Sequence, residues 1–114
     1  MTMSGPPAGD AVLLMMCNAP DAGVAERIAQ ELVARGLAAC VNVGAPVLSI
    51  YRWQGAVERA EEVPLFIKTV QARREAVQDA IAGLHPYDVP EIVALPITHG
   101  LPAYLEWVRQ ETQC

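Results

Sequence analysis

Positive charge is scarce in this chain. Among 114 residues only 8 are lysine or arginine against 13 aspartate or glutamate, which leaves a net charge of -5. A protein that grips nucleic acid needs a basic face, and an acidic chain of pI about 4.9 has no such footprint. Nucleic-acid partners are therefore excluded. Long apolar runs are missing too: none approaches the roughly 20 residues that cross a bilayer. The first residues also lack the charged start and apolar stretch of a signal peptide. A soluble protein without membrane partners is expected. Cys17, Cys40 and Cys114 are an odd number without CxxC spacing, which excludes a complete disulfide framework and a zinc knuckle. A reducing cytoplasm is the simplest compartment. No Gly-rich phosphate loop and no internal repeat is present.

What the chain does have is apolar mass. Hydrophobic residues make up 53%, charged residues 18%, and the mean hydropathy is +0.24, too apolar for disorder. This length suits one domain, with some apolar surface expected to lie under other subunits. Residues 1–10, two prolines and two glycines among small residues, read as a disordered tail outside a single domain over 11–114. Ala11 to Met16 predicts a strand buried on both faces. From Asp21 to Arg35 the stripe Val24, Ile28, Leu32 predicts an amphipathic helix, capped by Asn18 or Asp21 and ended at Gly36. Ala38 to Trp53 reads as a strand bent at Gly44-Ala45-Pro46, turning through Gln54-Gly55 into a second strand that runs to about Thr69. Pro64 lacks a ladder donor, so it must lie at an edge or a bulge. A second helix over Arg73 to Leu84, a strand over Glu91 to Pro96 and a short helix entered through Pro102 complete the order β-α-β-β-α-β-α. That is the split β-α-β logic of an α+β ferredoxin-like sandwich, both helices covering one face of an antiparallel sheet.

The densest chemistry lies in His85-Pro86-Tyr87-Asp88-Val89-Pro90-Glu91, a loop stiffened by two prolines between a helix end and a strand start. An imidazole, a phenol and two carboxylates there suit a cation or a small polar ligand. Equally, His85 has a structural reading, in which it satisfies a helix C-terminus. Cys17 ends the central first strand, where it is either a soft ligand approaching His85 or a small buried hydrophobe. Tyr51 and Trp53 alternate around Arg52, so both rings face one side of the hairpin. Lys68 ends an apolar run where its ammonium can meet Glu91 or an anionic ligand. The acidic stretch Glu58 to Glu62 reads as a solvated face. No third residue orients a Cys–His pair and no oxyanion-hole motif is present, so no catalysis is expected.

Taken together, Cys17-Asn18-Ala19-Pro20-Asp21, Leu37-Ala38-Ala39-Cys40-Val41-Asn42, Ser49-Ile50-Tyr51-Arg52-Trp53-Gln54-Gly55, Ile67-Lys68-Thr69, the His85 to Glu91 loop, Leu95-Pro96-Ile97 and Tyr104-Leu105-Glu106-Trp107 resemble the CutA divalent-cation-tolerance family over about residues 11–110. The resemblance implies a ferredoxin-like homotrimer in which each hairpin extends a neighbour's sheet. That arrangement removes exposed strand edges. It also implies a non-enzymatic response to metal ions, with copper or another divalent ion bound weakly by His85 and Cys17 in a cleft near the subunit boundaries that Tyr87, Glu91, Lys68, Trp53 and Tyr51 flank. Two departures stand out: Leu84 occupies a position where some members carry a second histidine, and Gly44-Ala45-Pro46 replaces the usual Pro-Gly bend. The alternatives are a trimer resembling PII-type signalling proteins, holding a small polar or anionic ligand in the intersubunit cleft through Lys68, Tyr87 and Glu91, and a trimeric scaffold for a protein partner.

Overall fold

The structure, a computed structural model, describes residues 8–113. Strand β1 (Val12–Ala19) is followed by helix α1 (Ala22–Ala34), β2 (Cys40–Val43), β3 (Val47–Trp53), β4 (Ala56–Val70), α2 (Arg74–Leu84), β5 (Ile92–Pro96) and α3 (Pro102–Glu111). The strands form one antiparallel sheet in the order β2-β4-β1-β5, with β3 paired to the first half of β4. The expected split β-α-β sandwich is thus present. Among the described residues no helix is long and apolar enough to cross a membrane.

Local chemistry accounts for each boundary. Asp21 caps α1, its carboxylate accepting the Val24 N–H at 2.8 Å, and Gly36 leaves the helix at a φ of 68° that favours glycine. One stripe of α1, Ala25, Ile28 and Leu32, is fully buried. Ile28 and Leu32 each gain about 1.5–3 kcal/mol from that burial. Facing them, Met15, Cys17, Leu65 and Ile67 from β1 and β4 meet Val77 and Ile81 of α2 in the main core. A second, smaller core joins Val12 and Val70 to Val108 of α3.

The strand expected over 38–53 divides into β2 and β3, and the bend at Gly44 to Pro46 explains Pro64. A residue's N–H and C=O point to the same side of a strand. The Pro64 carbonyl accepts the Gly44 N–H at 2.9 Å, so the donor that Pro64 lacks would face the gap where the partner chain swings away. The bulge alternative holds. At the chain start, the stretch read as a tail divides: residues 1–7 lie outside the described residues, while Ala8–Asp10 form a short 3-10 turn whose Asp10 carbonyl accepts the Arg109 guanidinium at 2.9 Å.

Candidate functional site

The loop after α2 is tied to β1 by one side chain. His85 closes α2, its N–H donating to the Ile81 carbonyl at 2.9 Å. Its ring accepts the Tyr87 N–H at Nδ1, 3.1 Å away, and lies 2.7 Å from the Asn18 carbonyl at Nε2. Because Tyr87 must donate, Nδ1 is the acceptor and Nε2 carries the proton given to Asn18. Both nitrogens of this buried imidazole are therefore engaged. The ring also packs against Tyr87, centroids 4.6 Å apart.

That clip creates a cleft of about 670 Å³ between the loop and the hairpin. Ser49, Tyr51 and Trp53 of β3 form one wall, and Tyr87, Asp88 and Glu91 the other. Tyr51 and Trp53 share a side of the hairpin, as alternation predicts. Asn18 and Glu62 also line it, and Asn18 Nδ2 reaches Glu91 Oε1 at 3.5 Å. Glu62 is only 9% exposed, unlike the solvated Glu58 and Glu61. The expectation that the whole acidic run faces water fails at this residue, because the His85 loop folds over it. Burial raises the Tyr87 phenol above its ordinary value, and the Glu62 charge and a hydrogen bond to that carboxylate act in the same direction.

Glu62 has no cationic partner among the described residues, where the ion pair present joins Arg109 to Glu106. No lysine or arginine lines the cleft. Within one chain Lys68 does not line this cleft: it is six residues along β4 from Glu62, about 20 Å at strand spacing, its ammonium bonded to Asn42. The strand's length alone separates the two. Cys17, also expected at the site, faces the core and is 1% exposed. Burial, assisted by the Glu91 and Glu62 charges, pushes its thiol up to about 12. A protonated thiol and an imidazole with both nitrogens bonded do not fit a direct metal centre, since the thiolate and a free nitrogen are the ligating forms. Among the described residues no group of three or more His, Cys, Asp or Glu side chains is placed to hold a metal ion.

Sequence reasoning missed Glu62, Asn18 and Ser49 as cleft residues, while Asp88 is one of the two loop carboxylates it offered to a cation. The available signal was parity: Glu62 lies on the same strand face as Pro64, Phe66 and Lys68. What covers it is set by the later loop.

Residues 13–111 match the sequence model of the family described as CutA1 divalent ion tolerance protein. The divalent-cation tolerance protein CutA of Thermus thermophilus is 44% identical over 99 residues, 87% of this chain and 96% of that protein. Human protein CutA is 44% identical over 82% of this chain, which spans about half (52%) of the human protein's length. Among solved structures, CutA from Xylella fastidiosa aligns with a TM-score of 0.88 at 40% identity, over 90% of this chain and 99% of that one. A CutA from Archaeoglobus fulgidus, described as a periplasmic divalent cation tolerance protein, gives 0.87 at 35% identity over 90% and 99%. The match runs through every strand and helix from β1 to α3, and this chain belongs to the CutA1 divalent ion tolerance family.

Proposed function

We propose that the protein serves the response to divalent cations as a non-catalytic homotrimer, taking a cation weakly and reversibly in the cleft between hairpin and His85 loop. The observation that carries this reading is Glu62, a nearly buried carboxylate without a cationic partner among the described residues. Buried charges are ordinarily paired or bound to cations, and Asp88 and Glu91 add negative charge at the exposed rim. Copper or another divalent ion is the ligand class. These carboxylates suit an ion that keeps most of its water, as hard cations do with one or two protein oxygens. In this reading His85 shapes the cleft and Cys17 fills the core beneath it.

Trimer assembly is supported by what one chain leaves uncovered. Ile50 and Val57 on the hairpin are 64% and 67% exposed, and β5, paired only with β1, exposes Val93 and Leu95. Edges and apolar faces of this kind are covered by another chain in stable assemblies. The cytoplasm remains the proposed compartment, consistent with Cys17 and Cys40 as free thiols.

Calorimetric titration of the metal-free protein with copper, zinc and magnesium chlorides, with assembly followed by light scattering, tests the reading. Saturable binding in wild type and its loss in Glu62→Gln are expected. Binding unchanged by Glu62→Gln but lost in Cys17→Ser would move the site to the thiol.

A further inference from the structure

We infer that His85 is a proton-operated latch: with its ring neutral the loop over residues 86–91 is closed on Glu62, and protonation of Nδ1 releases the loop while the ring stays fastened to β1. The two ring nitrogens stand on unequal footing. Nε2 donates to the Asn18 carbonyl at 2.7 Å, a bond that a charged ring also makes, and more strongly. Nδ1 accepts the Tyr87 N–H at 3.1 Å, a bond that exists only while Nδ1 carries no proton. A proton there sets donor against donor, and the Tyr87 amide loses its partner.

Little else holds the backbone of this loop. Among the described residues no backbone-to-backbone hydrogen bond ties Pro86 to Pro90 to the rest of the chain. The two prolines have no N–H to offer, and Asp88 and Val89 are exposed. Opening the loop uncovers Glu62, which lies nearly buried beneath it. The surroundings favour the charge that opening requires. His85 closes α2, whose last carbonyls attract a cation. Glu62 of β4 and Glu91 just before β5 both act on the Cys17 thiol of β1, while Glu62, Tyr51 of β3 and Asp21 at the start of α1 act on the Tyr87 phenol. Asp88 adds a carboxylate on the loop itself, the last turn of α2 carries no titratable side chain, and no lysine or arginine lines the cleft. Both bonds of the latch lie within one chain, so it is complete before a subunit or a cation meets the loop.

The test follows the intact, metal-free protein by NMR between about pH 7.5 and about pH 5.5, where histidine changes charge while most carboxylates stay ionised. The His85 ring nitrogens and the Tyr87 amide are expected to titrate with one shared midpoint. Amide exchange across the loop, corrected for its intrinsic pH dependence, should quicken about tenfold or more, the scale of one buried donor left without its acceptor. In His85→Asn the amide oxygen can replace Nδ1 as acceptor but takes up no proton in this range, so both responses should vanish. Circular dichroism and light scattering verify folding and assembly, and the shared midpoint in wild type decides alone if the variant does not fold. A ring that stays neutral down to about pH 5.5 overturns the inference. So does a Tyr87 amide indifferent to ring protonation. An equal response in His85→Asn also overturns it, by assigning the opening to Glu62, Asp88 or Glu91.

Discussion

Replacing His85 by alanine separates a structural clip from a metal ligand. The substitution deletes two hydrogen bonds, Nε2–H to the Asn18 carbonyl at 2.7 Å and the Tyr87 N–H to Nδ1 at 3.1 Å, in a residue that is 7% exposed. It leaves one backbone acceptor and one backbone donor without their partner. Leaving such a group unsatisfied costs about 1–3 kcal/mol when it is buried. These partners are partly buried, so the low end applies to each, and the lost packing of the ring against Tyr87 adds to it. The sum is about 2–4 kcal/mol. At roughly 4–8 °C per kcal/mol for a domain of this size, the melting temperature should fall by about 8–32 °C.

Two milder variants divide the effect. In His85→Asn the amide oxygen can replace Nδ1 and keep the Tyr87 bond, while in His85→Gln the amide nitrogen can replace Nε2 and keep the Asn18 bond. Each should show about half the loss of alanine. Denaturant unfolding at one fixed protein concentration is the assay, because association contributes to apparent stability. A His85→Ala protein within about 0.5 kcal/mol of wild type would refute the clip. A pure ligand role makes the opposite pair of predictions, reduced metal affinity with unchanged stability.

Three further outcomes follow from other parts of the molecule. In the Cys40→Ser/Cys114→Ser protein the remaining Cys17 thiol should resist disulfide exchange reagents at pH 8 until the chain unfolds. Its folded value is about 12 against an ordinary 9.0, so the stabilising contribution is complete below pH 9 and lost as pH rises from 9 towards 12. Denaturation curves of Cys17→Ala should show a flatter decline across that window. Gly44→Ala would bring a Cβ to 2.9 Å from the Pro64 ring, an overlap expected to cost about 1–3 kcal/mol. Combining it with Pro64→Ala should recover most of that loss, and a purely additive double mutant would show that the contact is not the cause. Val57→Glu, at a 67% exposed hairpin position, should shift sedimentation from the proposed trimer towards monomer, and unchanged assembly would remove the hairpin from the interface.

The sequence revealed structure wherever a single periodicity decides burial. The α1 stripe, the alternation that pairs Tyr51 with Trp53, and the Gly44 to Pro46 bend needed no tertiary knowledge, because each follows from neighbours within a few residues. Pro64 was legible as a bulge problem, but its solution required the register that places its carbonyl opposite Gly44. Glu62 was hidden for a different reason. Two of its near neighbours, Glu58 and Glu61, are the same chemistry in solvent, and only a loop some 25 residues downstream decides which carboxylate is covered. Lys68 shows the converse, a residue with suitable chemistry whose place on a long strand keeps it from the cleft of its own chain. His85 combines both difficulties: its type permits ligand or clip, and the choice is made by a carbonyl 67 positions away in sequence. Residue type limits what a side chain can do, whereas a partner brought by the fold determines which capacity is used, so functional sites built from long-range contacts stay ambiguous in sequences whose folds are plain.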